Sequence, residues 1–490
     1  MVSASGGSDW QRLDPRMLAV TPLRQLAGFL PVIVAVLVIG SEENFGGRVY
    51  GLLVGVLFVL IAGTLRWFTT RYRISSDRVE LRSGLLFRSA RSIPRDRIRT
   101  VDVTAGLVHR LFRLSVLKIG TGERADGVES RELTLDAIAT SEADQVRQRL
   151  LDPSAGSRER ETVARAVEEL AALRWSWLRF APLTVSSLVA LGAVGGAFAQ
   201  LVNDVGAETV GVGKVGKRLT TAPLWLGVTV LTSLILLVAL VGSVLVFIEA
   251  WWGFQLVREP GGTLRIRRGL LTTRSVSLEE RRLRGIEVVE SPLLRAGRGA
   301  RTVAVATGLG GRRSHGRGTL LPPAPRSEAH RVSGLVLGKT PSPTNTPLRR
   351  HPRAALRRRL VRGTLPVMAT AGALWFAPAP AWATWVALGL LPVTVLLAGD
   401  AYRNLGHALT GRYLVTRHGA GVRATVALQR SGVIGWTVSQ SLFQRRLDLV
   451  TVTATTAAGH GAYAIIDVTT SEGLAVARQA VPELLDPFLA

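Results

Sequence analysis

Hydrophobic and polar residues alternate in long blocks along the 490-residue chain. Six apolar segments come in three pairs, and each pair is followed by a polar segment. The paired segments are 25–40 with 49–65, 180–202 with 224–250, and 364–376 with 382–398. Within these limits Glu249 is the one charged residue. Because a helix needs about 20 apolar residues to cross a bilayer, the pattern predicts three transmembrane hairpins.

The third pair is short, and Pro378 and Pro380 predict a turn between its halves. This pair could span a thin bilayer or form a re-entrant hairpin. We favour spanning, because unsatisfied backbone groups in lipid cost several kcal/mol each. The first segment begins late, contains Pro31 and lacks a small-residue cleavage site, so we expect it to be a retained anchor and not a cleaved signal.

Arginine clusters on one side of the predicted hairpins. The hairpin tips carry few basic residues, whereas the flanks toward the termini and polar segments are rich in Arg. By the positive-inside rule, both termini and all polar segments are expected in the cytoplasm. We therefore expect a multi-pass protein of a bacterial plasma membrane.

The three polar segments repeat one another. An offset of 185 aligns Gly84 with Gly269 and Arg110 with Arg295. An offset of 335 aligns Val103 with Val438 and Arg110 with Arg445. With few gaps between these matches, the pattern indicates triplication of a hairpin-plus-domain unit.

Each repeat contains short stretches of period two, which predict antiparallel strands, followed by one helical stretch. Ser141 is the expected helix N-cap in the first repeat, and Glu142 suits its N-terminus. The predicted organisation is a cytoplasmic N-terminal tail (1–24), hairpin 1 (25–65), β domain 1 (66–152), a helical connector (153–179), hairpin 2 (180–250), β domain 2 (251–340), a basic juxtamembrane linker (341–363), short hairpin 3 (364–399) and β domain 3 (400–490).

On these motifs the chain resembles bacterial pleckstrin-homology-like membrane proteins of the YdbT type. The residues that carry the resemblance are Tyr72-Arg73-Ile74, Gly84-Leu85-Leu86, Ile93-Pro94-Arg95-Asp96-Arg97-Ile98, the run 439–449 and Thr455-Thr456-Ala457-Ala458-Gly459. The resemblance implies small β-barrel, pleckstrin-homology-like domains with a capping C-terminal helix, and no enzymatic activity. The second repeat departs most, because Ser291-Pro292-Leu293-Leu294-Arg295 replaces the Gln-Ser-x-Phe-Gln-Arg-Arg pattern.

Composition narrows the possible chemistry. The chain has no cysteine, which excludes disulfides, thiolate metal sites and a cysteine nucleophile. Its net charge of +26 would suit nucleic acid or an anionic membrane. Residues 258–362 hold 24 basic and 6 acidic residues beside apolar segments, and they offer neither a recognition helix nor an aromatic stacking set. We therefore expect anionic lipid headgroups as the partner, and no nucleic acid.

Two groups of arginines are candidate contacts for anionic lipid or a protein partner. The first group recurs at one position of the repeat and comprises Arg110, Arg295 and Arg445, with Arg446 beside the last. For this group we favour the alternative, an internal salt bridge or a turn residue that packs its stem. The second group precedes the fifth apolar segment, where it could bind lipid or only set topology: Arg349, Arg350, Arg353, Arg357, Arg358, Arg359 and Arg362.

The sequence favours a non-enzymatic membrane scaffold whose cytoplasmic domains bind lipid or protein, possible roles being envelope stress or assembly. Its expected partners are the bilayer and another membrane protein or a second copy of the chain, and no cofactor or metal is expected. The alternative is a transporter with the six helices forming a pathway. That alternative is weaker, because the apolar segments hold no charge in their interiors.

Overall fold

A computed structural model of the chain describes residues 10–20, 45–75, 77–84, 88–98, 100–121, 132–151, 167–184, 224–308, 317–377 and 380–484, together with residues 23, 192 and 196. The chain forms two compact units. The first contains Met1–Glu169 and Gly253–Arg282, and the second contains Leu170–Trp252 and Leu283–Ala490. The second repeat is therefore divided between the units at Arg282.

Each repeat contributes two groups of three antiparallel strands, which we call its leading and trailing half-sheets. The leading half-sheets are β2 (Arg71–Ile74), β3 (Arg78–Ser83) and β4 (Ser89–Pro94); β9 (Gln255–Glu259), β10 (Thr263–Arg268) and β11 (Thr273–Glu279); and β15 (Gly406–Thr410), β16 (Tyr413–His418) and β17 (Arg423–Gln429). The trailing half-sheets are β5 (Thr100–Ala105), β6 (Leu114–Gly120) and β7 (Glu132–Ala139); β12 (Leu283–Glu290), β13 (Gly299–Ala306) and β14 (Thr319–Pro325); and β18 (Gly435–Ser439), β19 (Leu449–Thr455) and β20 (Ala462–Thr469). Two short strands, β1 (Gln11–Arg12) and β8 (Glu168–Ala172), lie outside this pattern.

Short and long α-helices accompany the strands. In chain order the α-helices are α1 (Phe45–Thr69), α2 (Leu107–Leu111), α3 (Thr140–Leu151), α4 (Leu224–Trp251), α5 (Pro292–Ala296), α6 (Arg326–Leu337), α7 (Arg353–Phe376), α8 (Ala381–Gly389), α9 (Leu391–Arg403), α10 (Leu442–Arg445) and α11 (Thr470–Ala480). Helices α3, α6 and α11 close the three repeats, as the sequence predicts. The first of them begins at Thr140, one residue before the predicted cap.

One turn requires glycine in all three repeats. Gly84, Gly269 and Gly419 follow the second leading strand and have φ values of 105°, 108° and 121°. A Cβ on Gly269 would lie 2.0 Å from the carbonyl oxygen of Thr272, and one on Gly419 would lie 1.9 Å from that of Val422. Because only glycine fits this left-handed turn, its recurrence supports the repeat alignment.

Consecutive repeats share their sheets through strand edges. In the first unit β5 pairs with β11, within a seven-stranded sheet of order β7-β6-β5-β11-β10-β9-β8. In the second unit β12 pairs with β17, giving the order β14-β13-β12-β17-β16-β15. The prediction of three small β-barrels is not confirmed, because the sheets stay open and the first trailing strand pairs with the next repeat.

Each unit has its own apolar core. In the first unit, residues of both half-sheets such as Val79 and Leu117 pack with Val146 of α3. Leu13 and Met17, from the predicted N-terminal tail, join the same core. In the second unit, the core of the third repeat is built from the corresponding elements. It contains Leu414 of β16, Val452 of β19 and Val476 of α11.

The prediction of six membrane helices is not confirmed as a whole. Within the described residues, one helical stretch, Ala381–Arg403, is long and apolar enough to cross a membrane. Helices α1 and α4 coincide with the second and fourth apolar segments, and the apolar part of α4 described in full is Leu236–Trp251. The first apolar segment and most of the third lie outside the described residues.

The structure departs from the predicted helical connector 153–179 over the C-terminal residues of that range. Glu168 begins strand β8, and Trp175–Leu183 form a 3₁₀ helix that packs against α4. Residues 152–166 lie outside the described residues. Glu168 forms an ion pair of 2.7 Å with Arg258 of β9. The sequence around Glu168 therefore forms a sheet edge, although its amphipathic pattern predicts a helix.

A buried arginine connects the first repeat to the leading half-sheet of the second. Arg147 of α3 is 1% exposed. Its Nη1 donates to Glu259 Oε2 and to Ser277 Oγ, both at 2.9 Å, and its Nη2 donates to Glu259 Oε1 at 3.2 Å. Arg265 also donates to Glu259, at 3.2 Å. The guanidinium thus pairs with a carboxylate of the next repeat inside the first unit.

A second buried ion pair joins helix α7 to the third repeat. Asp467 of β20 is fully buried and accepts from Arg358 at 2.5 Å and from Gln444 at 2.9 Å. Arg359 Nη2 lies 3.2 Å from the second carboxylate oxygen. Ala355 packs in the same region against Leu449. The basic segment before the fifth apolar segment is therefore partly docked on protein.

Replacing Arg147 with Met should loosen the shared sheet of the first unit. Removing one partner of a buried ion pair costs about 3–5 kcal/mol, and Arg265 offsets part of this at Glu259. We expect faster hydrogen–deuterium exchange in β5 and β11 of the full chain. Arg73→Met removes the more exposed Arg73–Glu80 pair and should change exchange much less. Equal effects of the two variants would contradict this assignment.

Replacing Asp467 with Asn should release the N-terminal part of α7. Asn keeps the side-chain volume but leaves two guanidinium groups without their counter-charge, at a cost of about 2–4 kcal/mol. Exchange at 353–362 should accelerate. Asp448→Asn is the matched control, because Asp448 also has positive φ but is exposed. Unchanged exchange in α7 of the Asp467 variant would show that the pair does not hold this helix.

Candidate functional site

The second unit contains a strongly basic cavity. It encloses about 1040 Å³. Its basic lining is six arginines and one histidine: Arg179, Arg295, Arg298, Arg326, Arg331, Arg423 and His330. Glu290 is the one acidic residue in the lining. This composition suits an anion and would repel a cation.

Elements from distant parts of the sequence bring these side chains together. Arg179 lies in the 3₁₀ helix Trp175–Leu183. Arg295 lies in α5, and Arg298 follows it with a φ of 57°. Helix α6 supplies Arg326, His330 and Arg331, and strand β17 supplies Arg423. Helix α6 packs against β13 and β14, and the backbone N–H of Arg326 at its start donates to the carbonyl oxygen of Arg298 at 2.9 Å.

Carboxylates neutralise only part of the basic lining. Buried Glu290 accepts from Arg423 through both oxygens and lies 3.4 Å from Arg326. Arg295 pairs with Asp400 at 2.5 Å, and Arg331 pairs with Glu328 at 2.6 Å. These three acids balance three of the six arginines.

Two arginines of the lining have no acidic partner within the described part of the chain. The Arg179 guanidinium lies 4.8 Å from the ring centroid of Phe180. The Arg298 side chain is exposed, and only its backbone is hydrogen-bonded, to Arg295 and Arg326. These two side chains are therefore available to an anionic ligand.

His330 has a lowered pKa of about 4. Burial is the largest cause, the charge of Arg326 adds to it, and the charge of Glu290 opposes it. The imidazole is therefore neutral at pH 7, with its Nδ1 2.8 Å from Thr344 Oγ1. An anion in the cavity would favour the protonated form and raise this pKa.

The arginines at the recurrent repeat position bind within the protein in two of three cases. Arg110 donates to the carbonyl oxygen of Leu270 at 2.6 Å. Arg295 pairs with Asp400 and also lines the basic cavity. Arg445 and Arg446 are exposed, and the described residues give their guanidinium groups no ion pair. Contact of any of these side chains with lipid or a partner stays a prediction.

The seven arginines before the fifth apolar segment divide into two groups. Arg358 and Arg359 bind Asp467, and their side chains are mostly buried. The exposed members are Arg349, Arg350, Arg353, Arg357 and Arg362. Among these Arg349 lies 3.7 Å from Glu472, which is a weak surface pair. Five arginines thus remain on the surface, where lipid contact stays a prediction.

Sequence reasoning identified only Arg295 among the cavity arginines. The other five come from four segments, which no local motif connects. One signal was present: Arg298 aligns with Arg113 at the offset of 185, and both have positive φ values, of 57° and 55°. Among the described residues no group of three or more His, Asp or Glu could hold a metal ion.

The comparisons with known proteins agree with this architecture. The family model for the bacterial PH domain matches residues 22–154 and 363–480, which together are just over half of the chain. The unmatched middle contains the second repeat, where the sequence departs most from the pattern. The UPF0699 transmembrane protein YdbT of Bacillus subtilis (strain 168) is 26% identical over 428 residues, covering 84% of this chain and 85% of the relative.

No solved structure matches the chain. The assignment therefore depends on the family model, on this similarity over most of both proteins, and on the repeated half-sheets with their closing helices. The chain belongs to the bacterial PH domain family.

Proposed function

We propose that this protein is a non-enzymatic, multi-pass membrane scaffold that binds an anionic lipid headgroup in its basic cavity. The excess of arginine over carboxylate in that cavity carries the proposal. A lipid phosphate accepts several guanidinium hydrogen bonds at once, and such charge-assisted bonds are among the strongest in proteins.

The sequence positions of the cavity residues support a membrane-surface site. Arg179 immediately precedes the third apolar segment. Arg295 binds Asp400, three residues before the end of the candidate span Ala381–Arg403. Ser291, at the start of α5, donates to the carbonyl oxygen of Leu183 at 3.4 Å. Because the lining residues adjoin the ends of apolar segments, we infer that the cavity opens at the depth where headgroups lie.

The five exposed arginines between Arg349 and Arg362 add to this attraction. A basic residue near an anionic leaflet contributes about 1 kcal/mol. With the orientation expected from the arginine distribution, the cavity and these arginines face the cytoplasmic leaflet. Transport, the alternative drawn from the sequence, gains no support from the comparisons.

The test is binding of a soluble, short-chain phosphatidylglycerol to the full chain in neutral detergent. Arg179→Gln with Arg298→Gln removes the two arginines that have no acidic partner. We expect the dissociation constant to rise about tenfold or more, since each lost headgroup contact is worth about 1 kcal/mol. Both side chains are exposed, so that the variant keeps the wild-type circular dichroism.

Arg412→Gln is the matched control, because Arg412 is exposed on the β15–β16 turn, away from the cavity lining. It should bind like the wild type. Short-chain phosphatidylcholine and inorganic phosphate form the other arms. Weak phosphatidylcholine binding supports recognition of charge, and phosphate binding equal to that of the lipid would identify a free anion as the ligand. Unchanged phosphatidylglycerol affinity in the double variant would contradict the proposal.

A further inference from the structure

The two junctions between consecutive repeats have the same geometry. In the first unit Thr273 of β11 lies opposite Ala105 of β5, and Ser277 lies opposite Val101. In the second unit Arg423 of β17 lies opposite Glu290 of β12. At the offsets of 185 and 335, Thr273 and Arg423 both correspond to position 88, and Glu290 corresponds to position 105. Both junctions are therefore antiparallel and in one register.

Among the described residues, the trailing half-sheet of the third repeat and the leading half-sheet of the first repeat have no such neighbour. Strand β18 is an edge strand of the sheet β18-β19-β20, and β4 is an edge strand of β1-β2-β3-β4. Val438 of β18 is 45% exposed, whereas the equivalent Val103 and Val288 are 9% and 1% exposed. Apolar surface that is buried at both internal junctions is thus uncovered at the end of the series.

Strand β4 is more exposed than the equivalent strands β11 and β17. Four of its first five residues, Ser89 to Ser92, are exposed. The equivalent residues of β11 and β17 become buried from their third positions onward, at Ser275 and Thr425. Each internal junction joins a trailing edge to a leading edge. Within the described residues, one trailing edge on β18 and one leading edge on β4 remain uncovered.

The arginine that recurs at one position of the repeat also differs between the two internal junctions and the third repeat. Arg110 binds Leu270 in the glycine turn of the next repeat. Arg295 binds Asp400, which accepts at 2.9 Å from the backbone N–H of Gly421 in the corresponding turn. Arg445, in the third repeat, is exposed, and the described residues give its guanidinium no ion pair. Its equivalents reach the next repeat, one directly and one through a carboxylate.

We propose that copies of this protein assemble head to tail, with β18 of one copy pairing antiparallel with β4 of the next. Extension of the internal register places Gln440 opposite Arg88, Ser439 opposite Ser89 and Gly435 opposite Ile93. Arg445 then lies toward Gly84 of the neighbouring copy. The contact is heterologous, so that it closes into a ring or propagates into a filament.

A second copy fits these edges better than an unrelated strand does. The same chain supplies both complementary edges, and continuity with two established junctions fixes the register. Pro94 lies one residue beyond the paired positions, so that it removes no hydrogen-bond donor from the predicted ladder. Anchoring in a membrane confines the copies to two dimensions and raises their effective concentration.

Engineered disulfides test the register directly, because the chain contains no cysteine. Opposite residues of antiparallel strands have Cα atoms about 4.5–5.5 Å apart, within the range that a disulfide bridges. We expect Ser89→Cys with Ser439→Cys in one chain to give, on mild oxidation in native membranes, a ladder of dimers, trimers and larger species. A fast-migrating monomer alone, or no product, would overturn the proposal.

Ser89→Cys with Ala462→Cys is the positional control, since Ala462 lies exposed on β20 at the other edge of the same half-sheet. If this pair gave a ladder of the same yield as the Ser89→Cys, Ser439→Cys pair, crosslinking would reflect crowding of the copies and not the proposed register. That result would overturn the proposal.

A further variant tests the apolar contact at the edge. Adding Val438→Lys to the Ser89→Cys, Ser439→Cys chain should lower the ladder yield about tenfold, the effect of about 1.4 kcal/mol. Val422→Lys is its control, because Val422 is equally exposed at 45% but lies in the glycine turn of the third repeat. Equal yields with the two lysines would contradict pairing through β18.

Discussion

Main-chain hydrogen bonding between the trailing edge of one repeat and the leading edge of the next organises this protein. An open strand edge exposes a row of unpaired donors and acceptors, and proteins must pair it, cover it or break it. Here β5 and β12 are each covered by a strand of the following repeat. The small domains thus form continuous sheets, in which the fold of one repeat depends on its neighbour.

Charge reinforces this arrangement at specific places. Arg147 pairs with Glu259 across one junction, and Arg423 pairs with Glu290 across the other. Arg358 pairs with Asp467 where α7 meets the third repeat. In each case an arginine bound to a carboxylate of another segment fixes how two elements meet. Arg179 and Arg298 of the cavity have no such partner among the described residues, and the proposed function assigns these two arginines to a lipid headgroup.

The local parts of the fold were predictable from sequence, and the pairing between repeats was not. Period-two stretches and the recurrent Gly269 turn indicate strands and their connections, and the Ser141-Glu142 pair indicates the closing helix. Alternation, however, reports which face of a strand is buried and says nothing about which edge is paired. The shared sheets were missed for this reason. The cavity was missed because residues as distant as Arg179 and Arg423 meet only after folding.

The common register of the two junctions has a consequence for how such chains change length. The two internal junctions pair equivalent residues, since β5 meets β11 as β12 meets β17. Duplication or loss of one whole repeat preserves every remaining contact between strands, whereas insertion of a single residue into β12 would reverse its faces. Evolution of this architecture should therefore proceed by whole repeats, with genes that encode two, three or four of them.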